Sequence, residues 1–336
     1  MTTEADSGTV PPAGDRVPAL SVTVTNYNYA RFLPQALDSI LAQTYTDYEI
    51  IVIDNASTDD SLAVARQYAA RDARIRVIAH ESNIGALASL RESCDECRGR
   101  YRVHVDADDW AISPTAFARQ VALMDANPQV TFVYSCLTMF GPDGRKTHVS
   151  RPFQGDQVVP APEAVEAVLG FTLNHTGTMI RLDAYRLTGG YPDGMPHVDD
   201  MLLGVRLCEL GDVGYIDDEL YSFRQHGDNV HLAPQLAVVR EEFIPVVEAA
   251  FNGPLGPRLS PQARRRIMRN TLVHLPTQYI FRGEPRAGWR LWWESARARP
   301  VDTVLQPRTL ALAARTVLGP RGFAFVSDRA RRWRAG

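Results

Sequence analysis

Nowhere in the 336 residues does an apolar run reach the roughly 18 residues that a bilayer-spanning helix needs, so no spanning helix is expected. Lysine is almost missing: Lys146 stands alone among 36 basic residues, so the positive charge is arginine, part of it attributable to GC-rich coding. Cysteine is scarce, with four in the chain, and Cys94 and Cys97 form a solitary CxxC without a second pair or a nearby Cys/His pair. A tetrahedral zinc site is therefore excluded, and these read as ordinary thiols on or near a helix. No tandem repeat of fixed period occurs. No glycine-rich, basic phosphate loop follows the first predicted strand, which argues against a nucleotidyltransferase.

What the chain does have is a 45% hydrophobic and 22% charged composition, that of a globular protein with one large α/β domain plus a helical piece, or two ordinary domains. Residues 1–18 mix Pro, Gly and acidic side chains without an apolar centre and read as a disordered leader, not a signal peptide; a cytoplasmic location is the expectation. The formal net charge of −3 is unevenly spread: residues 256–336 hold 17 Arg against 4 acidic residues, a balance of +13, which leaves −16 on residues 1–255. Such a basic section suits an anionic acceptor, a membrane surface or the acidic part of its own chain, with solvated helix faces as the plainer alternative.

Strand and helix patterns alternate. Residues 20–26 read as a β-branched strand, and residues 31–44 place Phe32, Leu33, Leu37, Ile40 and Leu41 at helical spacing, with Pro34 in the first turn. Residues 48–53 form an apolar run suited to a strand covered on both faces. Helix at 61–70, strand at 74–79, helix at 86–97 and strand at 101–105 follow. Four alternations in about 90 residues argue a mostly parallel sheet with right-handed crossovers. Ligands of such sheets bind beyond the strands' carboxyl ends, and the polar clusters at 25–28, 54–59 and 106–109 all fall there. Further on, the pattern predicts helices at 114–126, 161–169 and 200–210, strands at 130–139 and 176–181, and helices at 235–251, 260–281, 284–298 and 307–318.

The acidic cluster Asp106-Ala107-Asp108-Asp109 directly follows a strand. Two or three carboxylates at one strand end repel one another unless a hard cation such as Mg²⁺ or Mn²⁺ lies between them, although short acidic turns also occur as solvated surface. An EF-hand reading fails, because Ala111 and Phe117 stand where Gly and Glu are required. A two-His, one-carboxylate iron site from His104, Asp106 and His226 would leave Asp108, Asp109 and the other loops unexplained.

Residues 20–110 resemble the family 2 glycosyltransferases of the GT-A fold. The stretches that carry the likeness are Ser21–Asn28 by position, residues 39–44, residues 49–59, Asn83-Ile84-Gly85 and Gly99-Arg100-Tyr101 ahead of the acidic cluster. Weaker similarity continues through Gly189-Gly190-Tyr191, Asp199-Asp200 and residues 221–226. The resemblance implies a GT-A catalytic domain at 19–232, an Arg-rich helical extension at 233–336, and inverting transfer from a nucleoside diphosphate sugar to an acceptor hydroxyl.

Carried over position by position, Tyr27 would stack on the base, Thr25 would line that pocket, and Asp54 would meet the base or ribose edge. A buried tyrosine and a loop-capping aspartate are the structural alternatives for Tyr27 and Asp54. Asn83 joins the nucleotide side, Asp106 would contact ribose or metal, Asp108 would be the main ligand of Mg²⁺ or Mn²⁺ with Asp109 beside it, and His226 would be a further ligand or a loop histidine. Asp200, the second residue of an acidic pair that reads Asp-Asp where the family favours Glu-Asp, would be the general base, with Asp199 and His197 on the acceptor side.

Ser89, Arg91 and Ser93 depart from the family's small-residue and Asn pattern, and Arg91 would reach a phosphate or a sugar carboxylate. The implied partners are a nucleotide sugar, UDP-linked by preference, and an acceptor glycan, lipid-linked glycan, protein or natural product, but no nucleic acid. The basic end, with Trp289, Trp292 and Trp293, would give peripheral contact with the inner membrane face or pack as a helical hairpin. A nucleotide-sugar binding protein without turnover is the alternative from another class.

Overall fold

The computed structural model describes residues 17–170, 176–195, 198–226 and 242–269, together with Trp289 and Trp293. His197, the predicted helices at 284–298 and 307–318, parts of those at 235–251 and 260–281, and the membrane-contact expectation for the basic end lie wholly or partly outside these residues. Among the described residues, no helix is long and apolar enough to cross a membrane.

The first half alternates as its periodicity predicts: β1 (Leu20–Asn26), α1 (Leu33–Leu41), β2 (Tyr48–Asp54), α2 (Ser61–Ala69), β3 (Ile75–Ala79), α3 (Ala86–Asp95) and β4 (Tyr101–His104). After α4 (Ala116–Ala126) come β5 (Val130–Phe140), β6 (Lys146–Ser150), β7 (Gln157–Val159), α5 (Ala161–Val168), β8 (Met179–Arg181), α6 (Leu182–Leu187), α7 (Asp199–Leu210) and β9 (Asp212–Arg224). Two further helices, α8 (Ile244–Asn252) and α9 (Pro261–Arg269), flank a 3₁₀ turn at Gly256–Arg258.

The described strands form one sheet in the order β3-β2-β1-β4-β8-β5-β9-β7, with β6 paired to β5. β3, β2, β1 and β4 run parallel, and β8 lies antiparallel between β4 and β5. The chain leaves β1 towards β2 and β3, then returns to β4 on the other side of β1. That reversal opens a crevice at the carboxyl ends of β1 and β4, the standard ligand position in such sheets.

Strand alternation explains the two cores. Ile50 and Val52 face one layer with Leu33, Leu37, Ile40, Phe117 and Val121, whereas Ile51 and Ile53 face the other with Leu90, Val165 and Leu203. All seven residues of β2 are buried, as a strand covered on both faces requires. Burying each such aliphatic side chain is worth about 1.5–3 kcal/mol. Phe243, Val246, Leu255 and Ile267 belong to the second core, so residues 242–269 pack on the sheet's own helices; Arg266 also pairs with Glu166 of α5 at 2.7 Å.

Three features were not legible in the periodicity. β6 and β7 are short, largely exposed edge pieces without an alternating pattern. β9 runs for 13 residues but carries Asp217, Asp218 and Glu219 in its middle, where pairing with β5 shifts register. These carboxylates bulge outward and meet Arg151, Arg119 and Lys146 at 2.6, 2.6 and 2.8 Å.

Gly177 has φ of +82°, and an added Cβ would lie 2.2 Å from the Tyr221 ring. Gly177→Ala is therefore expected to cost about 2–4 kcal/mol from combined backbone strain and overpacking, read as a lower urea midpoint with an unchanged slope.

Candidate active site

The β1–α1 and β2–α2 loops are laced together. Asn26 Nδ2 donates to Asp54 Oδ1 (2.9 Å), Ser57 N donates to Asp54 Oδ2 (3.0 Å), and Thr58 N donates to Asn28 Oδ1 (2.7 Å). Asn28 takes a φ of +60°, a left-handed conformation that asparagine tolerates better than most residues. The outcome separates two residues expected to act together. Tyr27 is 44% exposed after the end of β1, whereas Asp54 is 1% exposed with both oxygens engaged in the loop. The geometry of Asp54 is that of a loop anchor. Asn83 Oδ1 accepts from Asn55 Nδ2 (3.0 Å) and Gly85 N (2.8 Å), which ties the loop before α3 to the same cluster.

The carboxylates of the acidic cluster engage different partners. Asp106 is held by His104 Nε2 at Oδ1 (3.0 Å) and by the Thr176 hydroxyl at Oδ2 (2.8 Å). Asp108 Oδ2 lies 2.9 Å from His226 Nε2, across 118 positions of sequence. Asp109 turns inward, 3% exposed, and accepts the Arg224 backbone N–H at 2.7 Å. Among the described residues no three His, Cys, Asp or Glu side chains gather to hold an ion. Of Asp106, Asp108, Asp109 and His226, the residues expected to hold an ion, Asp108 and His226 stand in direct contact. The iron-site alternative would need His226 beside His104 and Asp106, but His226 Nε2 lies against Asp108 instead.

The reason His226 reaches Asp108 is visible in the backbone. Ser222 N donates to Trp110 O (2.9 Å), Trp110 N donates to Ser222 Oγ (2.8 Å), and Ala111 bridges Tyr221, so the acidic turn is stitched to the end of β9. Arg224 completes the clip. Its Nε donates to Asp108 O (2.7 Å), one terminal nitrogen donates to Gln35 Oε1 (2.6 Å), and its guanidinium lies 4.6 Å from the ring centres of both Phe32 and Trp110. Two residues further on, His226 packs against Tyr29 and Phe32. Arg224 and Thr176 were missed from sequence; the detectable signal was Arg224 preceding His226 by two in a strand that also carries Phe223 and Tyr221.

Electrostatically the cluster is under tension. Burial pushes the Asp108 carboxyl up, Asp106 adds to the push, and His226 opposes it. Asp109 is pushed well above the usual carboxylate range by burial, then by Asp108 and Asp106. A divalent cation at this rim would relieve that repulsion. The spacing of Asp108 and His226 fits: adjacent ligands at about 2.1 Å on an octahedral ion stand about 3 Å apart, and Mg²⁺-type sites commonly use one or two carboxylates plus substrate phosphates.

Asp199 and Asp200 occupy the first turn of α7, where the helix dipole favours negative charge. Asp199 is buried; Asp200 is half-buried and its Oδ1 accepts the Met201 N–H at 2.7 Å. Arg91 sits elsewhere than expected for a donor ligand: its Nε and one terminal nitrogen donate to Tyr191 O at 3.1 and 2.6 Å, and the other contacts Asp193. It braces α3 to the loop that leads into α7. Cys94 and Cys97 are buried and unbridged, and burial raises both thiols, that of Cys97 to about 12, as inert structural thiols require.

A mixed sheet with its crevice between β1 and β4, an exposed aromatic there and an acidic turn at the same rim define a GT-A-type nucleotide-sugar enzyme. The sequence comparisons agree: residues 21–186 match the model of Glycosyl transferase family 2. The chain is 32% identical over 216 residues to the putative glycosyltransferase EpsE of Bacillus subtilis, spanning 63% of this chain and 74% of that protein. It is 35% identical over 150 residues to the uncharacterized glycosyltransferase EpsJ of the same organism, spanning 45% of this chain and 42% of the relative. The chain belongs to glycosyl transferase family 2.

Solved structures share the fold at lower identity. S. aureus TarS residues 1–349 in complex with UDP-GlcNAc superpose with a TM-score of 0.58 at 15% identity, covering 84% of this chain and 92% of that one. The mannosyltransferase PcManGT of Pyrobaculum calidifontis, solved with GDP-Man and Mn²⁺, also gives 0.58, at 18% identity, covering 94% and 85%.

Proposed function

We propose that this glycosyltransferase moves a sugar from a nucleoside diphosphate, UDP by preference, to an acceptor hydroxyl with inversion, using Asp200 as general base. The observation that carries the reading is the meeting of Asp108 and His226 at 2.9 Å, with His226 packed on Tyr29, two residues from exposed Tyr27. Tyr27 would offer a π face to the base, Thr25 would line the floor, and Asp106, whose carboxylate is half-exposed, would face the ribose and diphosphate. Asp54 and Asn83 support this side by shaping the loops.

Asp108 and His226 would hold Mg²⁺ or Mn²⁺, with Asp106 adjacent; when bound, the ion supplies Lewis-acid stabilisation of charge on the departing diphosphate. The structural relative solved with GDP-Man and Mn²⁺ supports divalent-metal use in this fold. On the opposite face of the sugar, Asp200 accepts the acceptor's hydroxyl proton as its oxygen bonds to the anomeric carbon. The bond from that carbon to the diphosphate breaks, and its electron pair leaves with the nucleoside diphosphate. Backside attack inverts the anomeric centre. Asp199 and His197 belong to the acceptor side in this scheme.

A thermal-shift screen of UDP, dTDP and GDP, each with and without Mn²⁺, tests the reading directly. UDP with Mn²⁺ is expected to give the largest stabilisation, about 2.7 kcal/mol at 100 times its Kd. UDP-sugar hydrolysis should then follow in the absence of acceptor. Equal melting temperatures under all six conditions would overturn the assignment.

A further inference from the structure

Behind Asp106 lies a line of buried polar groups that the catalytic scheme does not use. Arg102 is 1% exposed, Thr23 0% and His104 1%, and all three point to the same face of the paired strands β1 and β4. Arg102 Nε donates to Thr23 Oγ1 (2.9 Å); Thr23 Oγ1 lies 2.9 Å from His104 Nδ1; and His104 Nε2 lies 3.0 Å from Asp106 Oδ1. Thr25 Oγ1 stands at the edge of the same nitrogen, 3.4 Å away.

The direction of the chain follows from donor chemistry. A guanidinium only donates, so Thr23 accepts from Arg102 and keeps its hydroxyl hydrogen for a second contact. An ionised carboxylate only accepts, so the ring nitrogen facing Asp106 carries a hydrogen. An imidazole with its single hydrogen on Nε2 satisfies both ends: Thr23 O–H donates to Nδ1, and Nε2–H donates to Asp106. We propose that Arg102, Thr23 and His104 form a one-way hydrogen-bond relay that fixes His104 as the Nε2–H tautomer and thereby orients Asp106 for the donor.

The relay has two functional consequences, both resting on the proposed function. First, Asp106 receives a donor on each oxygen, from His104 and from Thr176, so its carboxylate plane is set before any nucleotide arrives. Preset orientation removes an ordering cost from binding. Second, Arg102 also donates to the Tyr191 hydroxyl at 3.0 Å and to Ser93 Oγ at 3.2 Å. Tyr191 lies within the electrostatic reach of Asp199, whose charge adds to burial in raising the Tyr191 hydroxyl. One buried guanidinium therefore ties the donor carboxylate to the loop that leads into the acidic pair of α7. His104, Thr23 and Arg102 are positioning residues, since none of them is placed against substrate.

Two measurements on the full chain test the relay. Long-range ¹H–¹⁵N NMR of the metal-free protein, with the His104 signals assigned by their loss in His104→Gln, should show hydrogen on Nε2 and a bare Nδ1. Hydrogen on Nδ1 would overturn the relay whatever the protein's activity.

Calorimetric titration with UDP and Mn²⁺ provides the second readout. Thr23→Val and His104→Leu are expected to weaken binding by about tenfold or more, as loss of supporting groups behind a binding carboxylate commonly does. His104→Gln, which retains a donor within reach of Asp106, should stay within about threefold of the unaltered chain. Unaltered affinity in Thr23→Val and His104→Leu, or equal losses in His104→Gln and His104→Leu, would reduce these groups to packing and sink the proposal. Failure of the unaltered chain to bind UDP would instead count against the proposed function, and the tautomer would still decide the relay.

Discussion

Asp200→Asn is expected to bind UDP with Mn²⁺ as the unaltered chain does and to transfer sugar about 10²–10⁴-fold more slowly, the range that general-base catalysis supplies. The amide keeps the shape of the side chain and a carbonyl oxygen for the Met201 N–H that Asp200 now holds at 2.7 Å, so the first turn of α7 should persist. What it loses is the capacity to take a proton. An acceptor alcohol remains a poor nucleophile until its proton is removed in the transition state, so the loss should fall on kcat with little change in the donor's KM. Asp199→Asn is the informative control. Asp199 is 4% exposed, next to Asp200 in sequence but withdrawn from solvent, and its replacement should lower stability and weaken acceptor binding while leaving the proton-taking group in place. Near-normal transfer by Asp200→Asn would remove the base assignment while leaving the donor side intact.

The contrast between these neighbouring carboxylates shows what could be read in advance. The alternation of β1 to β4 was legible because each strand is a short apolar or β-branched run and each helix keeps its spacing, so the crevice followed from order alone. The three polar clusters were legible for the same reason: each begins where a strand pattern stops. Side-chain direction inside a cluster was not legible. Asp108 and Asp109 are adjacent, yet one meets His226 and the other an Arg224 N–H, because the turn is stitched to β9 by Ser222 and Trp110.

That stitching depends on a strand whose period is broken by Asp217, Asp218 and Glu219. Arg91 is a second case. A lone arginine on a helix near a predicted phosphate site reads as a ligand, but the Tyr191 carbonyl it braces lies 100 positions away and gives no local signal. Thr23 and His104 appeared in sequence as strand residues; their pairing across β1 and β4 is what turns them into a connected path to Asp106.

Asp108→Ala is expected to abolish the Mn²⁺-dependent part of UDP binding, a loss of at least about 10²-fold, because even groups one step removed from a metal are commonly worth 10–100-fold. Its effect on the metal-free protein should have the opposite character. In the folded chain the Asp108 carboxyl is buried, and burial together with the charge of Asp106 raises it. Removing it relieves repulsion on Asp109, whose own carboxyl is pushed higher still by burial and by Asp108. The lost contact with His226 offsets part of that gain, so the metal-free melting temperature should be unchanged or higher.

The two effects separate cleanly in one experiment. With UDP and Mn²⁺ at 100 times the Kd of the unaltered chain, that chain gains about 2.7 kcal/mol, several degrees of melting temperature, and the variant gains almost nothing. A merely structural Asp108 would instead lower the metal-free melting temperature and leave the ligand-induced shift in place. The sign of the metal-free change and the size of the ligand-induced one therefore decide independently whether the acidic turn exists to bind a cation or only to shape the end of β4.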